Sequence, residues 1–151
     1  MKYCGTLIAV KNIAKSKEFY EKVLEQKIIM DLGVHVSFES GISMQENYEE
    51  LVGEELNITE KANSFELYFE VEDLDKWNEK LKKINELEFI HEIKEYPWGQ
   101  RVIRFYDFDK HVIEVAESME SVVKRFLKQG MSVEEAAKRS MFPIEFVEKC
   151  V

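Results

Sequence analysis

The chain contains few of the residues that usually mark metal sites, disulfide frameworks or membrane spans. Its 151 residues include three histidines, two cysteines and two prolines, and no apolar run approaches the roughly 18 residues needed to cross a bilayer. Cys4 and Cys150 lack a Cys-x-x-Cys spacing, which predicts reduced thiols, with a disulfide between the termini as the alternative. No apolar signal-peptide segment follows Lys2. We therefore expect a cytoplasmic protein that does not insert into membranes.

Basic residues are also fewer than acidic ones. The chain has 21 lysines and arginines against 30 acidic residues, a net charge of −9 at pH 7, whereas a nucleic-acid-binding protein normally presents a basic face. Apolar residues make up 45% of the chain and aromatic residues 12%, which is enough to bury a core in a domain of about 150 residues. These numbers exclude a disordered chain and argue against a nucleic-acid partner.

Residues 28–60 contain no lysine or arginine but eight acidic residues. One interpretation is a solvated acidic loop and helix that keeps the protein soluble. The other is an acidic lip that repels anionic partners or recruits cationic ones. Composition alone does not decide between them.

Two stretches of the chain predict the same order of elements: a strand, a helix and three further strands. The two helices begin after an N-cap residue, Asn12 and Asp73 respectively, and continue with apolar residues at helical spacing. The alternating or apolar segments predict strands at Cys4–Val10, Lys27–Leu32, His35–Glu39 and Ile42–Gln45, and then at Phe65–Val71, Glu88–Ile93, Gln100–Tyr106 and His111–Val115. The repeat therefore predicts two βαβββ modules.

Residues 118–151 predict helices only. Ser118 is placed to begin a helix that Gly130 ends, and the spacing of Ser132 to Glu135 is that of a capping box at the start of the next helix. Pro143 suits the first turn of a third helix, and residues 143–149 contain no Arg, Asn or Gln with which to read DNA bases. We expect this tail to pack on the body of the protein or on a second subunit. The domains predicted in this way are residues 1–117, with modules at 1–46 and 64–117, and a helical extension at residues 118–151.

The most specific motif lies near the end of the second module. The segment Arg104-Phe-Tyr-Asp107-Phe-Asp109-Lys-His111-Val-Ile-Glu114-Val115 resembles the closing hairpin of the vicinal oxygen chelate superfamily, in which an Asp-Pro-Asp-Gly-His turn leads into a strand with a metal-binding Glu. Gly5–Val10 followed by Ser16–Tyr20 resembles the first strand and helix of that superfamily, which includes glyoxalase I, extradiol dioxygenases, fosfomycin resistance enzymes and bleomycin-binding proteins. The resemblance covers residues 4–117. It implies an α+β fold of paired βαβββ modules, with a curled mixed sheet around a central groove, and a homodimer.

The alternation of side chains along a strand predicts which of them line that groove. Ile103 and Phe105 suit the helix-covered face of their strand, which leaves Arg104 for the groove. The same alternation on the other strands adds Glu114, Glu66, Tyr68, Glu70, Ser43 and Gln45. Together with Trp98 and His91 on less regular segments, Arg104, Tyr68 and Gln45 are the candidate ligand-binding residues. Aromatic surface beside a few polar groups suits a flat, partly apolar small molecule.

The resemblance also implies four metal positions, and this chain fills them with unusual residues. Gly5 stands where the first strand usually carries a His, and the later positions fall on Gln45, Glu66 and Glu114. If a metal is bound, Glu114, Glu66 and Gln45 would hold it, and such oxygen donors favour Mg, Mn or Ca over Zn or Ni. No other cofactor is implied.

Two carboxylates in a partly closed groove need a cation nearby. Arg104, a metal ion and a cationic ligand are the three candidates. Glu114 and Glu66 are also the candidate catalytic residues, as general bases or metal ligands, and His91 is the histidine best placed to act as a base.

Three functions fit these residues. The first is a protein that binds a small molecule without the superfamily's transition-metal site, because no His fills any of the four positions. The second is a divalent-metal-dependent lyase, isomerase or dioxygenase of glyoxalase type. The third is a protein-interaction module that acts through the helical tail. The residues leave open whether the protein is an enzyme.

Overall fold

The computed structural model describes residues 1–151, which divide into two compact units, residues 1–60 and residues 61–151. Each unit contains one four-stranded mixed sheet. The first unit holds one βαβββ module, and the second holds the other module followed by the C-terminal helices. The α+β class and the two modules predicted from the sequence are confirmed.

The sheet of the first unit has the strand order β1-β4-β3-β2. β1 runs parallel to β4, and the other neighbouring pairs are antiparallel. The elements of this unit are β1 (Thr6–Val10), α1 (Ile13–Glu18), β2 (Ile28–Asp31), β3 (His35–Phe38), β4 (Ile42–Glu46) and α2 (Tyr48–Val52).

One face of this sheet is covered, and the other is open. Asn12 begins α1 by accepting a hydrogen bond from the Lys15 amide at 2.9 Å, and a π-helical turn, Phe19–Val23, continues it. Tyr20 is fully buried and stacks on Phe38, with 5.9 Å between ring centroids. The core on this face consists of the alternate strand residues Ile8, Val10, Val36, Phe38, Ile42 and Met44. The residues between them point to the open face.

Helix α2 lies within the acidic stretch of residues 28–60, and none of its residues is buried. Gly53, in the left-handed conformation, ends it. This geometry fits the interpretation of the stretch as a solvated acidic loop and helix.

Gly5 precedes β1 at a place where only glycine fits. The Thr6 amide donates a hydrogen bond to the Gly41 carbonyl oxygen at 2.9 Å, and a Cβ on Gly5 would lie 2.1 Å from that same oxygen. The position at which the resemblance implies a ligand His therefore has no room for any side chain.

The sheet of the second unit repeats the pattern with the order β5-β8-β7-β6. β5 is parallel to β8, and Asp73 caps the following helix by accepting from the Lys76 amide at 3.0 Å. β6 extends to Glu95, beyond the predicted end at Ile93, and its pairing with β7 has two register shifts. The elements are β5 (Glu66–Val71), α3 (Leu74–Lys82), β6 (Glu88–Glu95), β7 (Arg101–Tyr106) and β8 (Val112–Glu117).

Three helices complete this unit. Ser118 caps the first and Ser132 forms the predicted capping box with Glu135 at the start of the second. Their shared core is small and apolar, with Val122, Val123, Phe126, Ala136, Ala137 and Val147 at its centre. The helices are α4 (Met119–Lys128), α5 (Val133–Ser140) and α6 (Ile144–Glu148).

A buried carboxylate joins α4 to the sheet. Glu117 is 3% exposed and accepts hydrogen bonds from Arg101 at 2.6 Å and from Arg125 at 2.9 Å. Burial raises the pKa of Glu117, but the two guanidinium groups outweigh it and hold that pKa below its ordinary value. Arg125 also donates to the Gly99 carbonyl at 2.5 Å, so the helix is tied to the turn between β6 and β7.

None of the helices has the length and apolar character needed to cross a bilayer. Both cysteines are free thiols: Cys4 is exposed, and Cys150 is half-buried. Burial raises the pKa of the Cys150 thiol.

Gly99 is expected to be the glycine least tolerant of substitution in the second unit. It has φ +88°, and a Cβ there would lie 2.0 Å from the buried Phe126 ring. Gly130 has a similar φ of +91°, but no neighbouring atom lies within 4 Å of the place that a Cβ would take. Gly130→Ala should therefore cost only the left-handed strain of about 1 kcal/mol, and Gly99→Ala should cost a further 1–3 kcal/mol or so from overpacking. Urea unfolding of both variants measures the difference, and equal losses of stability would contradict the packing of α4 on this turn.

Candidate functional site

The strand register of the second unit brings four predicted site residues into one row. Tyr68 pairs with Glu114, Glu114 with Arg104, and Arg104 with His91. The row therefore crosses β5, β8, β7 and β6 in turn. It lies on the face opposite the buried residues Leu67, Ile113, Ile103 and Phe105.

Arg104 is the centre of this row. Its Nε donates to Glu66 Oε2 at 2.9 Å, and its Nη1 donates to the Tyr96 hydroxyl at 2.6 Å. Nη2 forms an ion pair with Glu114 Oε2. All three nitrogens of the guanidinium are thus engaged by protein groups.

The two carboxylates differ in their surroundings. The Glu114 side chain is 6% exposed, and its Oε2 meets Arg104 as an ion pair without a well-directed hydrogen bond. The Glu66 side chain is 39% exposed, so it keeps contact with water. Glu114 depends on Arg104 much more than Glu66 does, because a buried carboxylate has no other source of compensating charge.

Hydrogen bonds also determine which ring nitrogen of His91 carries a proton. Its Nδ1 lies 2.7 Å from the Glu92 carbonyl oxygen, which can only accept, so Nδ1 carries the proton. Its Nε2 lies 3.3 Å from Arg104 Nη1 and accepts from it. Burial lowers the pKa of Arg104, but the hydrogen bonds to Glu66 and Tyr96 outweigh this and raise it above its ordinary value. The guanidinium therefore stays charged, and the lone pair of His91 points at it.

Gln100, which the sequence did not indicate as a site residue, forms hydrogen bonds with both Tyr68 and Trp98. Gln100 Nε2 donates to the Tyr68 hydroxyl at 3.1 Å, and its Oε1 accepts from Trp98 Nε1 at 3.1 Å. Tyr68 in turn donates to Glu70 at 2.6 Å, and burial together with that contact raises its pKa to about 12. Trp98 stacks on Tyr96, with 4.8 Å between centroids and 15° between planes.

A cavity of about 470 Å³ adjoins this row on the same face. Glu66 is the one predicted site residue that lines it, and the Tyr106 hydroxyl on its wall donates to Asn63 Oδ1 at 2.8 Å. Strand alternation places Tyr106 and Val112 beside Glu66, but no sequence pattern marks Asn63, whose φ of +56° puts it in the left-handed region. The lining residues are Asn63, Ser64, Phe65, Glu66, Ile90, Tyr106 and Val112.

Gln45 lies in the first unit, and its amide is already bonded. Its Nε2 donates to the Glu46 carbonyl at 2.6 Å, and its Oε1 lies 3.0 Å from His35 Nδ1. Whether Gln45 contributes to ligand binding stays a prediction.

The side chains at the four implied metal positions do not fit a divalent metal ion. No group of three or more His, Cys, Asp or Glu side chains is placed to hold one. Gly5 has no room for a ligand side chain, and the Arg104 guanidinium contacts both Glu66 and Glu114. A cation between the carboxylates would have to displace that guanidinium, and the donor set offers no imidazole in exchange.

Comparisons with known proteins support the resemblance seen in the sequence. The family model of the glyoxalase-like domain matches residues 3–120. A protein of unknown function from Agrobacterium tumefaciens is 37% identical, with a TM-score of 0.69 over 78% of this chain and 94% of that one. A lactoylglutathione lyase from the same organism is 16% identical, with a TM-score of 0.60 over 78% and 93%. The fosfomycin resistance protein FosX from Listeria monocytogenes is 21% identical, with a TM-score of 0.60 over 78% and 93%.

The last two similarities, at their low identity, concern the fold alone. No curated protein matches the chain. The family model covers well over half of the chain, and both sheets have the βαβββ order that the resemblance implied. The chain belongs to the glyoxalase-like domain family, within the vicinal oxygen chelate superfamily.

Proposed function

We propose that the protein binds a small, flat, cationic molecule in the cavity on the Arg104 face of its second sheet and that it does so without a metal ion. The observation that carries this proposal is the position of Arg104 between Glu66 and Glu114. The built-in guanidinium supplies the positive charge that the buried Glu114 needs, so no metal ion is required, and the exposed part of Glu66 is left to meet a ligand.

The hydrogen bonds of Arg104 also argue against an anionic ligand. An arginine that recognises a carboxylate or phosphate presents free N–H groups in a fork. Here the fork is used by Glu66, Glu114 and Tyr96, with His91 on the remaining side. An anion would have to displace these partners.

The charge of the face favours a cation instead. The four strands place three carboxylates on it, Glu66, Glu70 and Glu114, against two cations, Arg104 and Lys94, so a net negative charge remains. Glu66 is partly exposed and lines the cavity, so its carboxylate can meet a ligand's ammonium or amidinium group. Electrostatic attraction of this kind is strongest where protein walls limit water.

The cavity suits a flat molecule. Its volume of about 470 Å³ lies within the usual range for small-molecule sites, about 300–1,000 Å³. Phe65 and Tyr106 give it aromatic walls, and Ile90 and Val112 give it apolar ones. Aromatic rings bind both flat apolar surfaces and cations.

We expect the flat cation proflavine to bind at least about tenfold more tightly than the flat anion resorufin, since Glu66 would attract the first and repel the second. Glu66→Gln should weaken proflavine binding by about tenfold, a loss of roughly 1.4 kcal/mol. Titration calorimetry measures both affinities. Glu72→Gln removes an equal charge from an exposed position of the same unit that does not line the cavity, so it serves as the matched control and should change little.

Two results would count against this proposal. Equal affinity for the two dyes would show that charge does not select the ligand. Proflavine binding that is lost on treatment with EDTA and restored by Mn²⁺ would instead support the divalent-metal enzyme as the function.

Arg104→Met should destabilise the protein by about 3 kcal/mol, because it leaves Glu114 buried without a partner. The double variant Arg104→Met/Glu114→Gln should recover much of that loss, since the uncompensated charge is gone. Lys22→Met, which breaks an exposed pair with Glu18, is the control and should have little effect. Chemical unfolding with and without EDTA gives all four stabilities. A wild-type protein that loses stability in EDTA would be inconsistent with a metal-free site.

A further inference from the structure

The open face of the first sheet carries a chain of four hydrogen-bonded polar side chains. His35 and Ser37 on β3 lie directly opposite Gln45 and Ser43 on β4. His35 Nδ1 is 3.0 Å from Gln45 Oε1, and His35 Nε2 is 3.0 Å from Ser37 Oγ. Ser37 Oγ is 2.8 Å from Ser43 Oγ. The hydrogen bonds are therefore continuous from Gln45 to Ser43.

The direction of each hydrogen bond in this series follows from the orientation of the Gln45 side-chain amide. Gln45 Nε2 donates to the Glu46 carbonyl at 2.6 Å, which leaves Oε1 as the acceptor facing His35. In the neutral imidazole of His35, Nδ1 then carries the proton, and Nε2 has a lone pair that accepts from the Ser37 hydroxyl. Ser43 in turn donates to Ser37 Oγ. A hydroxyl that donates to a neutral imidazole oriented by a third group is the arrangement of an activated serine nucleophile.

The surroundings of this chain are open and apolar. Ser37 pairs with Met30 on β2, and Ser43 pairs with Leu7 on β1. The two serines therefore lie in the middle of a row of four residues across the sheet. Met30, 41% exposed, is at one end of this row, and Leu7, 38% exposed, is at the other. Ser37 and His35 are themselves only half-buried. A polar centre between two exposed apolar side chains is what a small ester with an apolar substituent requires.

We propose that Ser37 is a nucleophile for small, apolar carboxylic esters, with His35 as its base and Gln45 as a positioning residue. Attack forms a bond between Ser37 Oγ and the ester carbonyl carbon, while the Ser37 proton moves to His35 Nε2. The carbonyl carbon then loses the alkoxide, which takes that proton and leaves as the alcohol. Water attacks the acyl-Ser37 in the same way, releasing the carboxylic acid and restoring the Ser37 hydroxyl.

Ser43 has a separate role in this step. Its hydroxyl no longer needs to donate to Ser37 Oγ once that oxygen is bonded to carbon. Because Ser43 Oγ lies 2.8 Å from Ser37 Oγ, its hydroxyl is then free to donate to the oxyanion that develops on the carbonyl oxygen, and hydroxyl groups stabilise such oxyanions.

A fluorophosphonate probe tests the nucleophile directly, because a serine of this kind displaces its fluoride and gains the phosphonyl mass. We expect peptide mapping by mass spectrometry to find the label on Ser37. His35→Gln should slow labelling by at least about 100-fold, the usual contribution of a general base. Ser40, an exposed serine in the turn after β3, is the internal reference for unassisted reactivity, and Ser40→Ala should leave Ser37 labelling unchanged.

A second pair of variants separates positioning from folding. Gln45→Leu removes the acceptor for His35 Nδ1 and should slow labelling, whereas Gln45→Glu restores an acceptor and should recover it. Circular dichroism confirms the fold of each variant. Equal labelling of Ser37 and Ser40 in the wild-type protein would overturn the proposal, and so would a His35→Gln or Gln45→Leu variant labelled as fast as the wild type. All these residues lie in the first unit, and none of them belongs to the ligand site proposed on the second sheet.

Discussion

The contact of one guanidinium with two carboxylates determines the character of the second sheet. Glu114 is buried, and a buried carboxylate without a cation costs several kcal/mol. Arg104 provides that cation from the neighbouring strand, at the position directly opposite. Once Arg104 is held there, Tyr96 and His91 become its hydrogen-bond partners and Glu66 its exposed counter-ion. The direction of the His91 lone pair and the absence of a place for a metal ion between Glu66 and Glu114 both follow.

Strand register makes this contact possible. Side chains directly opposite each other on one face of neighbouring strands have Cβ atoms about 5 Å apart, so Glu114 and Arg104 must meet if β7 and β8 pair as they do. A shift of one residue would turn Arg104 into the helix-covered core and expose Ile103 or Phe105. Because burying an arginine among core residues is costly, a shifted pairing of β7 and β8 is disfavoured. The same free-energy cost therefore stabilises both the fold and the Arg104–Glu114 contact.

The sequence predicted the modules, the caps and the face of each strand because these depend on local periodicity and on N-cap chemistry. Asn12, Asp73, Ser118 and Ser132 all cap the helices expected of them. Strand alternation also placed Glu66, Arg104 and Glu114 on one face. It could not place His91, because β6 has register shifts on both sides of that residue. The partners of Gln45 also escaped prediction, since a hydrogen bond between strands depends on register and on side-chain rotamers that no local pattern encodes.

The two sheets share an architecture, but the polar side chains on the Arg104 face of the second sheet and on the His35 face of the first are satisfied by different chemistry. In the second, charges are balanced by charges, and Arg104 takes up the space in which a metal ion would otherwise join the carboxylates. In the first, His35, Ser37, Ser43 and Gln45 satisfy one another through a continuous series of hydrogen bonds. Gly5, which has no room for a side chain, removes the first of the metal positions that the family resemblance implies. Within each sheet, the side chains at the implied metal positions are therefore either absent or already bonded to neighbouring protein groups.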